Sequence, residues 1–157
     1  MSGESTQASP SQVYLRTWYH IGILGDSGTS SWVQVRVLRM TTPDSPGPGS
    51  ADMYIPVRSA EGFHSSTLSV EEAQRLLAAL ELMRAKAPRI VNEGNFQAPK
   101  QQIVFNNEKG FEVSCDSARL TIHSGDTDYE TTPAALNTFI GLVTKGIERM
   151  KAPAPTL

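Results

Sequence analysis

Three stretches in the first sixty residues alternate between two kinds of side chain, and this alternation restricts the fold more than any other feature of the chain. In the first stretch Val13, Leu15, Thr17, Tyr19, Ile21 and Ile23 alternate with Tyr14, Arg16, Trp18 and His20. In the second, Val33, Val35 and Val37 alternate with Trp32, Gln34 and Arg36. In the third, Met53, Ile55 and Val57 alternate with Tyr54, Pro56 and Arg58. Side chains of a strand point to opposite faces with a period of two. The pattern predicts three strands with one aliphatic face, fit to pack on a helix. The opposite face collects both tryptophans of the protein, two of its four tyrosines, three arginines and a histidine.

The rest of the chain supplies the helices and a second set of strands. The strands Val13–Leu24 and Trp32–Met40 are joined by Gly, Asp and Ser residues typical of a hairpin. Residues 41–51 (TTPDSPGPGSA) are rich in Pro and Gly and predict an exposed loop. After the strand Met53–Arg58 the chain turns, with a short fourth strand around His64–Leu68. Ser69 followed by Glu72 is a capping box. The stripe Val70, Ala73, Leu76, Leu77, Leu80 and Met83 then recurs at helical spacing until Pro88 stops it. Beyond a linker at 88–100, strands are expected at Gln101–Asn106, Phe111–Cys115, Arg119–His123 and Asp128–Thr131, with a hairpin turn at Asn107–Gly110. Thr132 is the expected cap of a second helix, with Pro133 at its first position. Its apolar stripe is Leu136, Phe139, Ile140, Val143, Ile147 and Met150.

The fold expected is therefore α+β, two tandem β-β-β-β-α repeats. A polar, disordered lead (1–12) is followed by the first repeat (13–87), the linker (88–100), the second repeat (101–151) and a short tail (152–157). Each half has a one-faced sheet and one amphipathic helix, too little to close a core alone. Packing the halves together buries both stripes and makes one compact domain.

Function classes narrow by elimination. The chain has 157 residues, 14 Lys and Arg against 16 Asp and Glu, and a net charge of −2. That balance is unlike a general nucleic-acid glue, which is usually basic, so the local placement of charge has to matter. Arg16, Arg36 and Arg58 fall on one face, while the early acids Glu4, Asp26, Asp44 and Asp52 are expected in tails and turns. His20, His64 and His123 lie on separate elements without metal-ligand spacing. Cys115 falls on the apolar side of its strand, where an inert, buried thiol is expected. Asp126, Asp128 and Glu130 lack the later glycine and terminal glutamate of a calcium loop. No nucleophile elbow, paired carboxylates or Cys/His pair appears, so an enzyme is the least supported class and no cofactor is expected. No apolar run is long enough to span a bilayer, and the N-terminus carries no secretory signal. A cytoplasmic location is expected.

The order ββββα, doubled within one chain, resembles the Whirly-like single-stranded-DNA-binding proteins. The same unit, used once and dimerised, occurs in the positive-cofactor-four group of transcriptional coactivators and its bacterial relatives. The segment YHIGILGDSGTSSWVQVRVLRM (19–40) resembles the first hairpin of the bacterial members, MYIPVR (53–58) their third strand, and STLSVEEAQRLLAAL (66–80) their helix entry. His64-Ser65-Ser66 stands where those relatives usually carry Lys-Gly. The resemblance implies a pseudo-dimer whose helices form the core and whose sheet binds extended single strands. Carried over by position, the binding face is Tyr14, Arg16, Trp18, His20, Trp32, Gln34, Arg36, Tyr54 and Arg58. Rings offer platforms for bases and guanidinium groups meet phosphates. The expected partner is single-stranded DNA or RNA, with homo-oligomers favoured by the open sheet edges. Interface cores also favour Trp, Tyr and Arg, so a protein-interaction module using the same face is the alternative.

Overall fold

The computed structural model describes residues 13–26, 28–43, 45–95 and 97–155, apart from the side chains of 45–48. The lead 1–12 and the last two residues lie outside the described part. The fold is α+β: two four-stranded antiparallel sheets, each followed by a helix. The first sheet has the order β1 (Leu15–Gly25), β2 (Trp32–Thr42), β3 (Ser45–Ser59), β4 (Gly62–Leu68), and helix α1 (Val70–Lys86) follows. The second has the order β5 (Ile103–Asn106), β6 (Phe111–Cys115), β7 (Leu120–Ser124), β8 (Thr127–Thr131), and helix α2 (Leu136–Lys151) follows. Each sheet is a simple meander of hairpins, so neighbours in sequence are neighbours in space.

One continuous hydrophobic cluster serves both halves. It joins Val33, Val35, Val37, Met53, Ile55 and Val57 of the first sheet to Leu76, Leu80 and Met83 of α1. The same cluster takes in Phe111, Val113 and Ile122 of the second sheet and Phe139, Val143 and Ile147 of α2. The two helices touch each other, and α2 lies over the inner face of β1, β2 and β3. Gly146 permits that approach: a Cβ there would stand 2.5 Å from Met53 Cε and 3.4 Å from Val35 Cγ1. Arg39 continues the inner row of Val33, Val35 and Val37, yet it is buried. Its Nη1 donates to the carbonyls of Ala152 (2.8 Å), Met150 (3.3 Å) and Arg149 (3.4 Å). A cation thereby closes the C-terminal end of α2, where carbonyls lack helical partners and the dipole is negative.

Several elements differ from the sequence expectation. Residues 41–51 are mostly strand: β2 continues to Thr42 and β3 begins at Ser45. β4 pairs only with Met53–Ser59, which leaves the start of β3 as a sheet edge, where proline is tolerated. β1 begins at Leu15, leaving Val13 highly exposed and not on a packed aliphatic face. A β-bulge falls between His20 and Gly22, so Leu24 and Gly22 turn inward opposite Val33 and Val35, while Ile23 joins the outer face opposite Gln34. An inserted residue reverses the alternation beyond it, and this is why Ile23 does not extend the row of Leu15, Thr17 and Tyr19, while Ile21, the inserted residue, still packs against the core. β4 starts two residues earlier than expected, β5 begins at Ile103, and Arg119 precedes β7. Thr132 makes no side-chain cap; a 3-10 turn over Pro133–Ala135 leads into α2.

The first helix begins as its sequence predicts. Ser69 Oγ accepts from the Glu72 N–H (3.1 Å), and Glu72 Oε1 accepts from the Ser69 N–H (3.0 Å). Lys109, in the β5–β6 turn, places its Nζ 3.4 Å from Glu72 Oε2 and ties the second half to this cap. The Ser69 N–H holds the Glu72 carboxyl below the usual carboxylate range; burial opposes this and Lys109 adds to it. A depressed folded pKa contributes stability that is present above the unfolded carboxylate pKa and lost as pH falls through the folded one. Denaturant unfolding followed from pH 6 down into that acid range is therefore expected to show a loss of stability that Glu72→Gln, which keeps the cap geometry, makes shallower. An unchanged slope in the variant would remove Glu72 as its source.

Candidate functional site

The outer face of the first sheet is built by cross-strand register. Trp18 lies opposite Leu38, His20 opposite Arg36, and Arg16 opposite Met40. Arg36 lies opposite Tyr54, and Trp32 opposite Arg58. Arg58 in turn lies opposite Phe63 of β4. Two ring clusters result. At one end Trp18 and Tyr54 meet edge to face, their centroids 5.0 Å apart. At the other, Trp32 and Phe63 meet edge to face at 6.1 Å, and the Arg58 guanidinium sits 6.0 Å from the Trp32 ring and 5.5 Å from the Phe63 ring. Between the clusters Arg36 Nε donates to Gln34 Oε1 at 2.9 Å, which fixes the direction of its guanidinium.

Eight of the nine residues expected on this face are on it: Arg16, Trp18, His20, Trp32, Gln34, Arg36, Tyr54 and Arg58. Tyr14 stands one residue before β1, half exposed, beside a shallow cleft lined by Met40, Thr41, Thr42, Gly49 and Ser50. Three members of the face lay outside the sequence expectation. Phe63, 52% exposed, belongs to it because β4 starts at Gly62; the alternation of Phe63, Ser65 and Thr67 with His64, Ser66 and Leu68 carried that signal. Ile23 arrives through the bulge. Asp52 was expected in a turn, but it lies in β3 opposite Leu38 and shares the Trp18 row. Burial, and then the nearby Glu72 carboxylate, push the Asp52 carboxyl above its ordinary range. The cationic path across the face therefore runs through Arg16, Arg36 and Arg58 and passes beside Asp52.

The other sheet presents a different surface. Its outward rows bring together Asn106, Glu112, His123 and Asp128, and then Val104, Ser114, Thr121 and Glu130. His123 Nδ1 pairs with the Asp128 carboxylate, and Asn106 Nδ2 donates to Glu112 Oε1 at 3.0 Å. Asp116 and Arg119 lie between β6 and β7: Asp116 accepts from the backbone N–H groups of Ala118 and Arg119 and from Asn92, and so builds a turn. No Phe, Tyr or Trp lies in these rows, and apart from the half-exposed Val104 they are polar with acidic groups.

The remaining chemistry-bearing residues have structural partners. His64 Nδ1 lies 2.8 Å from Ser124 Oγ, which also contacts Ser66 Oγ, so this group joins β4 to the β7–β8 turn. Cys115 is buried, and burial, with Asp116 adding to it, pushes its thiol up to about 11. Such a thiol stays protonated at neutral pH and is a poor nucleophile. Among the described residues no group of His, Cys, Asp and Glu is arranged to hold a metal ion, and no helix is long and apolar enough to cross a membrane. Compared with known families and curated proteins, the chain matches no family model and no curated sequence.

Proposed function

We propose that this protein is a non-enzymatic binder of single-stranded nucleic acid, DNA or RNA, which lies extended across the outer face of the first sheet. One observation carries this reading: two exposed ring clusters on a rigid sheet, one holding an arginine against its rings and the other flanked by Arg16 and Arg36. Bases stack on Trp18 and Tyr54 at one end and on Trp32 and Phe63 at the other. Arg16, Arg36 and Arg58 meet phosphates between and beside them. Stacking is indifferent to base identity, because every base has a π-face. A face with few cations and several rings takes more of its affinity from stacking than from charge. The single buried cysteine suits a reducing, cytoplasmic setting.

The test uses the intrinsic fluorescence of the two tryptophans, both of which lie on this face. Unlabelled oligo-dT is expected to quench it. Trp32→Ala is expected to weaken binding by roughly 5- to 150-fold, the equivalent of about 1–3 kcal/mol for one stacked base. With three arginines available, the plot of log K against log salt should have a slope of about −2, from ~0.7 per phosphate on a single strand. A folded protein whose fluorescence stays unquenched at low ionic strength would overturn the reading and leave the face to a protein partner.

A further inference from the structure

We infer that β1 is also an interface: its open edge pairs antiparallel with β1 of a second copy, about a two-fold axis through Thr17. Three observations lead there. First, β1 pairs with β2 alone among the described strands, and no hydrogen bond reaches the backbone of its other edge over Leu15–His20 from any described residue. Edges of this kind are usually blunted by lysine, proline, inward charge or a bulge. The segment Leu15–His20 has no proline, lysine or acid, and it is regular over its whole length, because the bulge begins only after His20. Second, exposed apolar side chains concentrate on this strand and its approach: Val13 is 70% exposed, Tyr14 51% and Trp18 41%. Third, the sequence is complementary to itself when two copies pair antiparallel, most of all in the register that joins Arg16 to Trp18.

That register follows from the pleat. In an antiparallel pair, residues directly opposite share a face, so their numbers must sum to an even value. A sum of 34 places Thr17 opposite Thr17 of the second copy. On the outer face it sets Arg16 against Trp18, twice by symmetry. On the inner face it sets Leu15 against Tyr19. Thr–Thr, cation–ring and aliphatic–aromatic pairs are the ones that stabilise antiparallel strands. A sum of 36 would instead set Trp18 against Trp18, Arg16 against His20 and Thr17 against Tyr19; it gains one ring pair and loses both cation–ring pairs. The shared axis makes the contact isologous and closed, giving a dimer with no open end. The two ring-bearing faces then form one eight-stranded surface.

The experiment needs no nucleic acid, so its outcome is separate from that of the binding test. Sedimentation of the unmodified protein across the micromolar range is expected to give twice the monomer mass. Thr17→Cys is expected to form a covalent dimer on oxidation, since opposite residues lie within disulfide reach. Trp18→Cys is not expected to link, because residue 18 of one copy is displaced diagonally from residue 18 of the other. The native Cys115 is buried and does not compete. A monomer across that concentration range would overturn the inference. So would a dimer in which Thr17→Cys stays unlinked under conditions where circular dichroism shows it folded.

Discussion

Arg39→Met is expected to destabilise the protein by about 2–3 kcal/mol, enough to lower the melting temperature by roughly 5–10 °C for a chain of this size. The methionine fills much of the same volume and keeps the inner row apolar, so packing changes little. What disappears is one guanidinium nitrogen shared by the carbonyls of Arg149, Met150 and Ala152. Hydrogen bonds to a charged group are worth more than neutral ones, and a cation at a helix C-terminus is favoured by the dipole. Some of the loss is recovered because carbonyls at a helix end can reach water, which is why the expected cost stays well below the sum of three separate bonds. The effect should also be local. Amide exchange in the last turn of α2 should accelerate more than exchange in α1. A uniform acceleration, or a stability change under about 0.5 kcal/mol, would mean that Arg39 is a passenger in the core.

Gly125→Ala is expected to cost about 2–3 kcal/mol, for two separable reasons. Gly125 opens the two-residue turn between β7 and β8 with a φ of +61°, the conformation a hairpin needs there and one that costs an L-residue about 1–2 kcal/mol. Its missing Cβ also makes room for His64, since a Cβ would stand 2.5–2.8 Å from three atoms of the imidazole. The ring would have to swing away and give up its contact with Ser124, a loss of about 1 kcal/mol. A double-mutant cycle separates the two. In a His64→Ala background the glycine substitution should cost only its backbone share. Equal costs in both backgrounds would show that the imidazole yields freely and that the join between β4 and the second sheet rests elsewhere.

Much of this architecture is legible in the residues, because its strongest determinants are local. The capping box at Ser69 and Glu72, the stripes of both helices and the alternation of Trp32–Val37 each need only neighbours along the chain. What escapes such a reading depends on partners across space. Arg39 looks like one more surface arginine until the end of α2 arrives to meet it. The bulge after His20 exists only as a mismatch between β1 and β2. Residues 41–51 have the composition of a loop, but they lie on a sheet edge where proline does little harm. Phe63 joined the ring clusters through a strand start misplaced by two residues, and Asp52 entered the face for want of a turn at that point. Eight of the face residues were readable as a set because three strands shared one parity; Tyr14, one residue before β1, was not part of it. Their grouping into two clusters was not readable, since it follows from register.

The inserted residue at Ile21 gives β1 two reading frames. Upstream of it the even-numbered positions speak to the outside and the odd ones to the core; downstream the assignment is exchanged. A change in length elsewhere in β1, where no bulge absorbs it, would therefore act like a frameshift in a code of period two. Removing the inserted residue itself would instead restore an unbroken ladder, with Gly22 and Leu24 still inward opposite Val35 and Val33 and Ile23 still outward. The strand tolerates many substitutions of character, and far fewer of count.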